Sequence, residues 1–149
     1  MKEYPKRWTV ADFDAMCWHD NTVHSIRIIN PQDEDDFDLV FDLDYILEWI
    51  PVEGWFEFVV APALLTFHGA DKAKLNLTLY SKQNLEIDRI EWEDITPEPE
   101  RKAGYRKWLF RIYLHFQSDP ITLEAYGFTQ VLTKEPVVQN SPRLEDTER

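Results

Sequence analysis

The stretch Trp108-Leu-Phe-Arg-Ile-Tyr-Leu-His-Phe-Gln-Ser-Asp-Pro-Ile-Thr-Leu-Glu-Ala125 indicates the fold class, because hydrophobic side chains occupy every second residue on both sides of a turn. An alternation of period two places those side chains on one face of a β-strand. Gln117-Ser-Asp-Pro120 supplies the turn. The stretch therefore predicts a β-hairpin with one buried face, in which a four-residue loop would place Phe116 opposite Ile121.

The same alternation recurs along the chain. Further strands are predicted at Thr22–Ile29, Phe37–Leu43, Trp55–Val60, Ala63–Phe67, Leu75–Leu79, Leu85–Ile95 and Phe128–Leu132. Within Leu85–Ile95 the alternation changes phase, which predicts a β-bulge near Asp88 or Arg89. Because no long helical pattern separates the strands, we expect a mainly β protein with antiparallel sheets, a sandwich or half-barrel of about nine strands with one or two short helices.

Two short segments are predicted to be helical. Thr9 can cap a helix over residues 10–17, with Asp12 close to its positive N-terminal end. Over residues 44–49 the apolar side chains fit helical spacing better than strict alternation, which predicts a second helical turn or two.

Length and composition limit the organisation and the partners. The chain has 149 residues, of which 44% are hydrophobic, and its net charge is −12. We expect one all-β domain over residues 1–134 and a mobile, mostly polar tail over 135–149. The negative charge argues against a nucleic-acid partner. The absence of a signal-like N-terminus or a long apolar run, together with the single Cys17, predicts a cytoplasmic protein without membrane association.

An acidic segment between residues 33 and 44 is the first candidate site. Its seven acidic residues are Asp33, Glu34, Asp35, Asp36, Asp38, Asp42 and Asp44, and no basic residue lies among them. A calcium loop would need a glycine at its sixth place and a closing glutamate, which this segment lacks. Two interpretations stay open: a solvated loop whose charges discourage edge pairing, or a surface that binds a basic protein.

A polar cluster formed by Trp18, His19, Asp20 and His24 is the second candidate site. Imidazole and carboxylate groups can bind a metal ion or transfer protons. The two histidines are not at the i, i+4 spacing of a helical metal site, so a simple turn that caps backbone N–H groups is the alternative. The scattered glycines and serines match no phosphate-binding or nucleophile motif, so the favoured interpretation has no catalytic residue, no metal site and no cofactor.

Four short motifs together resemble a group of small bacterial proteins. They are Trp18-His19-Asp20-Asn21 together with Val23-His24-Ser25-Ile26, Leu43–Trp49, Ala61–Phe67 and Gly127–Gln130. Some proteins of that group are suspected to be immunity proteins of bacterial toxin systems. The resemblance implies a bacterial cytosolic protein of all-β type and implies no catalytic residues.

These observations favour a non-enzymatic protein-binding module, such as an immunity protein or an inhibitor of a basic, toxin-like partner. One alternative is a metal-binding protein or hydrolase that uses His19, Asp20 and His24. Another is a structural homodimer joined through a free strand edge. The sequence leaves the oligomeric state open.

Overall fold

The computed structural model describes residues 2–30 and 35–149. The elements in chain order are β1 (Arg7–Thr9), a 3₁₀ helix (Val10–Ala15), β2 (Thr22–Ile29), β3 (Phe37–Val52), β4 (Trp55–Lys74), β5 (Leu85–Asp94), α1 (Glu98–Lys102), β6 (Trp108–Leu114), β7 (Ile121–Ala125), β8 (Gly127–Leu132), β9 (Val137–Gln139) and a second 3₁₀ helix (Asp146–Glu148). The expected fold class, mainly β and antiparallel with about nine strands and short helices, is confirmed.

The strands pair in the order β1-β8-β4-β3-β2-β5-β6-β7, and the long β4 also pairs with β7 and β9. The path from β4 through β3, β2, β5, β6 and β7 therefore returns to β4, as in a sandwich or half-barrel that is partly closed. The core lies between the facing layers, where the rings of Phe67 in β4 and Phe110 in β6 are 4.9 Å apart and both side chains are almost fully buried.

The helix predicted over residues 10–17 is present in a shorter form, over Val10–Ala15. Thr9 caps it, and the Asp12 carboxylate accepts the Thr9 backbone N–H at 2.8 Å. The segment is a 3₁₀ helix that ends at Ala15.

The prediction of a helical turn over residues 44–49 is wrong, because β3 runs through this segment to Val52. Its pairing with β4 shifts register between Ile46 and Glu48. A bulge of this kind inserts one residue and reverses which side chains face the core, so the apolar positions acquire a spacing that resembles a helix.

The β6–β7 hairpin forms, but its predicted register is wrong. Ile112, not Phe116, lies opposite Ile121. Strand β6 ends at Leu114, and the positive φ of Phe116 (+62°) shows that the chain has already left the extended conformation there. Registers that differ by an even number of residues keep the same face buried, so alternation alone does not distinguish them.

Two other local predictions can be compared directly with the structure. The bulge near Asp88 is present as a register shift between Ile87 and Arg89. The strand expected at Leu75–Leu79 is absent from the described residues, and this stretch connects β4 to β5 without regular structure.

Residues 135–149, for which the sequence predicts a mobile tail, contact the sheet in the structure. Strand β9 pairs with β4, and Leu144, only 2% exposed, packs with Ile46, Phe58 and Val60. These contacts join the segment to the sheet, although its average composition is polar.

Candidate functional site

The structure brings two histidines and two aspartates together on one side of the molecule; we call them the histidine cluster: His19, Asp20, Asp88 and His115. His19 and Asp20 lie in the turn between the first 3₁₀ helix and β2, Asp88 lies at the bulge of β5, and His115 follows β6. Backbone hydrogen bonds fix these segments against one another, since Asp20 N–H donates to the Ile87 carbonyl and His115 N–H donates to the Glu86 carbonyl.

The polar atoms of the histidine cluster are close together. Nε2 of His115 lies 2.8 Å from Oδ1 of Asp20, and Nε2 of His19 lies 3.5 Å from the same oxygen. Nδ1 of His19 lies 3.4 Å from Oδ1 of Asp88. One ligand atom each from His19, Asp88 and His115 can be chosen so that all three lie within 4.8 Å of one another.

Neighbouring charges make this region negative. Oδ2 of Asp88 pairs with Arg89 at 2.7 Å, which leaves Oδ1 directed toward His19. Burial raises the pKa of the nearby Glu86 carboxyl, and the negative charge of Asp20 raises it further, while the two histidines of the cluster oppose this shift. Burial is the larger cause, so Glu86 is a partly desolvated carboxyl group beside the histidine cluster.

The other two residues of the predicted polar cluster lie elsewhere. Trp18 is a core residue whose indole N–H donates to Oε1 of Gln130 at 2.8 Å. Nε2 of His24 lies 2.7 Å from Oδ2 of Asp44. Sequence reasoning did not select Asp88 or His115, because only the sheet pairing of β5 with β6 brings them to His19; the predicted bulge was the one available signal.

The acidic segment divides into residues with structural roles and residues on the surface. Asp44 is fully buried and accepts hydrogen bonds from the Leu144 N–H at 2.9 Å and from Nε of Arg149 at 2.8 Å. Arg149 also pairs with Asp42. Burial disfavours the charge of Arg149, but the hydrogen bonds to both aspartates raise its pKa overall.

Asp38 also has an internal role, because its carboxylate accepts the Gly69 N–H at 3.1 Å and lies 3.5 Å from Nδ1 of His68. Asp33 and Glu34 lie outside the described residues. Asp35 and Asp36 line a cleft of about 500 Å³ together with Asp71 of β4.

A second cleft of about 710 Å³ adjoins the first at Lys107 and Tyr126. We call the combined area the Tyr126 surface; it is defined by Asp35, Asp36, Asp71, Tyr105, Lys107 and Tyr126. Both tyrosines are exposed, Tyr105 by 66% and Tyr126 by 57%. Among the ion pairs of residues 2–30 and 35–149, none involves Asp35, Asp36 or Asp71.

The fold holds Tyr126 at the corner where β4 leaves β8 and begins to pair with β7. Its backbone N–H donates to the His68 carbonyl at 3.0 Å. Gly69 has a φ of +59°, and a Cβ atom there would lie 2.4 Å from Cδ2 of Tyr126. A glycine is therefore required for the ring to rest on this bend of β4.

In the described ranges no helix has the length and apolarity needed to span a membrane. No protein-family model, no curated protein and no solved structure matches the chain. Its function must therefore be inferred from the geometry and chemistry of its own residues.

Proposed function

We propose that this chain is a non-enzymatic protein-binding module that contacts a basic protein through the Tyr126 surface. The observation that supports this proposal is the exposed Tyr126 ring between two adjoining clefts, one of them lined by Asp35, Asp36 and Asp71. The proposed surface contains fewer acidic residues than the seven predicted from the sequence, because Asp38, Asp42 and Asp44 have partners within the fold.

The chemistry of the surface suits a lysine or arginine side chain of the partner. Tyrosine is common at the centre of protein interfaces because its ring buries a large area at a small cost in side-chain entropy. The ring face also attracts a cation. Carboxylates at the edge of the cleft add Coulomb attraction, which mainly speeds association and selects partners of the correct charge.

The resemblance to suspected immunity proteins gives the proposal its partner class, a basic bacterial toxin. A net charge of −12 favours encounter with such a protein. In this proposal the chain inhibits by occupying a surface of the toxin and performs no chemistry itself.

Site-specific photo-crosslinking in the native host tests the proposal. A photo-reactive phenylalanine analogue in place of Tyr126 is expected to give one discrete adduct with a basic protein, whereas the same analogue in place of Tyr80, which is 53% exposed at another site, is expected to give none. An adduct with a second copy of this chain would instead assign the surface to a homodimer, and identical adduct patterns at both positions would contradict the proposal.

Titration of the purified partner then measures the contribution of the surface. We expect Tyr126→Ala to weaken binding by tenfold or more, as for a central interface aromatic, about 1.4 kcal/mol or more. The double variant Asp35→Asn/Asp71→Asn is expected to slow association, with a smaller salt dependence. The variant Asp14→Asn/Glu53→Gln changes the net charge equally at exposed sites elsewhere and serves as the matched control. Equal effects of the two double variants would show that only net charge matters and would refute a local site.

A further inference from the structure

The histidine cluster has the composition of a metal site. Two imidazoles and a carboxylate are ligands of zinc and of neighbouring divalent transition metals, whereas calcium and magnesium prefer oxygen ligands alone. The cluster shares no residue with the Tyr126 surface, so its role is independent of the proposed protein binding.

The geometry points to a binding site for one divalent transition-metal ion, with His19, Asp88 and His115 as ligands. Their ligand atoms lie within 4.8 Å of one another. Ligands bonded tetrahedrally to zinc at about 2.1 Å are separated by about 3.4 Å. The three groups therefore need to approach by roughly an ångström, a movement that side-chain rotation supplies.

The side chains have the freedom for that movement. His19 is 48% exposed, Asp88 34% and His115 28%. Their backbones are fixed by the pairing of β5 with β6 and by the hydrogen bond from Asp20 N–H to the Ile87 carbonyl. A rigid backbone with rotatable ligands is a suitable arrangement for an ion that enters from solvent.

Asp20 acts as a positioning residue in this site. Its Oδ1 lies 2.8 Å from Nε2 of His115. A carboxylate that accepts the N–H of a metal-binding imidazole fixes the tautomer and orientation of the ring. The backbone of Asp20 has a φ of +65°, so its side chain leaves the turn in a direction that an ordinary extended residue does not offer.

The local charge also favours a cation. Asp20 and Asp88 supply two carboxylates beside the two imidazoles, and Arg89 compensates one oxygen of Asp88. Three protein ligands leave a coordination position for water or for a group of another molecule.

Metal titration of the untagged, chelator-treated protein tests the site. We expect one Zn²⁺ or Co²⁺ per chain by calorimetry, with visible absorption bands for Co²⁺ that differ from those of the hydrated ion. His19→Gln, His115→Gln and Asp88→Asn are each expected to weaken binding by tenfold or more. Asp20→Asn is expected to weaken it about 10–100-fold, as for other second-layer carboxylates.

Two control variants separate this site from other metal-binding groups. His68→Gln removes a histidine that lies beside Asp38 and Thr129 and is expected to leave binding unchanged. Cys17→Ser removes the exposed thiol, which lines a small cleft with His19 and Asp88, and is also expected to leave binding unchanged.

The proposal is overturned if the wild-type protein binds neither ion at 100-fold molar excess. It is also overturned if the single variants His115→Gln and Asp88→Asn each bind the ion as tightly as the wild type. It is also overturned if Cys17→Ser alone abolishes binding. Circular dichroism of each variant establishes folding, and the thermal midpoint supplies an independent measurement: Zn²⁺ should raise it for the wild type and for His68→Gln, but not for His19→Gln/His115→Gln.

Discussion

At the residue scale, the contact of Gly69 with the Tyr126 ring links the bend of β4 to the proposed binding surface. A Cβ atom at position 69 would lie 2.4 Å from the ring and 3.0 Å from Oδ2 of Asp36. The Asp36 carboxylate, at the end of a flexible side chain, can move aside, but the Tyr126 ring cannot keep its position beside a Cβ atom.

We therefore predict that Gly69→Ala lowers the free energy of unfolding by about 1–3 kcal/mol, because a left-handed alanine is strained and the ring must move. Urea denaturation measures the loss. Gly104→Ala is the control, since Gly104 has a φ of +90° but no heavy atom near its would-be Cβ. In the Tyr126→Ala background, the loss of unfolding free energy caused by Gly69→Ala should be smaller, because only the strain of a left-handed alanine remains. An unchanged cost in that background would show that the ring contact is unimportant.

The sequence identifies only some of the residues that form the histidine cluster. His19 and Asp20 are adjacent in the chain and were predicted as candidate ligands. Asp88 and His115 lie far from them in sequence, and no spacing rule connects residues that meet through strand pairing. His24 is close to them in sequence, but its imidazole contacts the buried Asp44 in a different part of the fold.

At the scale of the elements, the connection between β5 and β6 is closed by a short chain of hydrogen bonds. The Lys107 N–H donates to the Thr96 hydroxyl oxygen at 2.8 Å, and the same hydroxyl donates to the Asp94 carboxylate. The Thr96 N–H also donates to this carboxylate, at 2.9 Å. Asp94 thereby fixes the strand ends that border the Tyr105 side of the Tyr126 surface.

This network predicts a pH-dependent stability. The Thr96 hydroxyl and then its backbone N–H lower the pKa of Asp94, with Arg101 and Arg106 adding to the effect. Because the folded pKa of Asp94 lies below the ordinary value of 3.8, the stabilisation is present above that value and is lost as the pH falls through the folded pKa. Asp94→Ala should therefore lower the thermal midpoint at pH 7, and the difference from wild type should shrink below pH 3.8. Glu53→Ala, at a hairpin tip, is the control. A difference that is constant from pH 7 to pH 2 would contradict a role for the Asp94 charge.

Strand positions were more predictable than strand partners. Alternation located β2, β5, β6, β7 and β8 within a few residues, because burial of one face imposes a period of two on each strand by itself. The register of β6 on β7 depends also on β5, and the phase change in β3 depends on a bulge. These features arise from neighbouring strands, and a single segment contains little information about them.

At the scale of the whole molecule, the net charge of −12 is distributed unevenly between structure and surface. Asp42 and Asp44 hold Arg149 and, with His24, anchor the last residues to β3. Asp38 contacts Gly69 and His68, whereas Asp35 and Asp36 lie at the Tyr126 surface. Among the described residues of this acidic segment, some carboxylates therefore stabilise the fold and others lie in a surface cleft, where the proposed partner would meet them.

The segment 135–149 closes one side of the molecule, and two contacts made by its last six residues should account for most of its attachment. Leu144 fills the small core with Ile46, Phe58 and Val60, so Leu144→Ala is predicted to lower the free energy of unfolding by about 2–5 kcal/mol. Arg149→Met leaves Asp44 buried with His24 as its remaining side-chain partner, and the loss of one partner from a buried ion pair costs up to about 3–5 kcal/mol.

Because both residues hold the same segment, the double variant Leu144→Ala/Arg149→Met should lose less than the sum of the two single losses, as measured by urea denaturation. Val138→Ala is the control, since Val138 is 59% exposed on β9 and its truncation should cost no more than about 0.5 kcal/mol. If Leu144→Ala and Arg149→Met are as mild as Val138→Ala, the segment is not part of the cooperative fold, and the prediction of a mobile tail is supported.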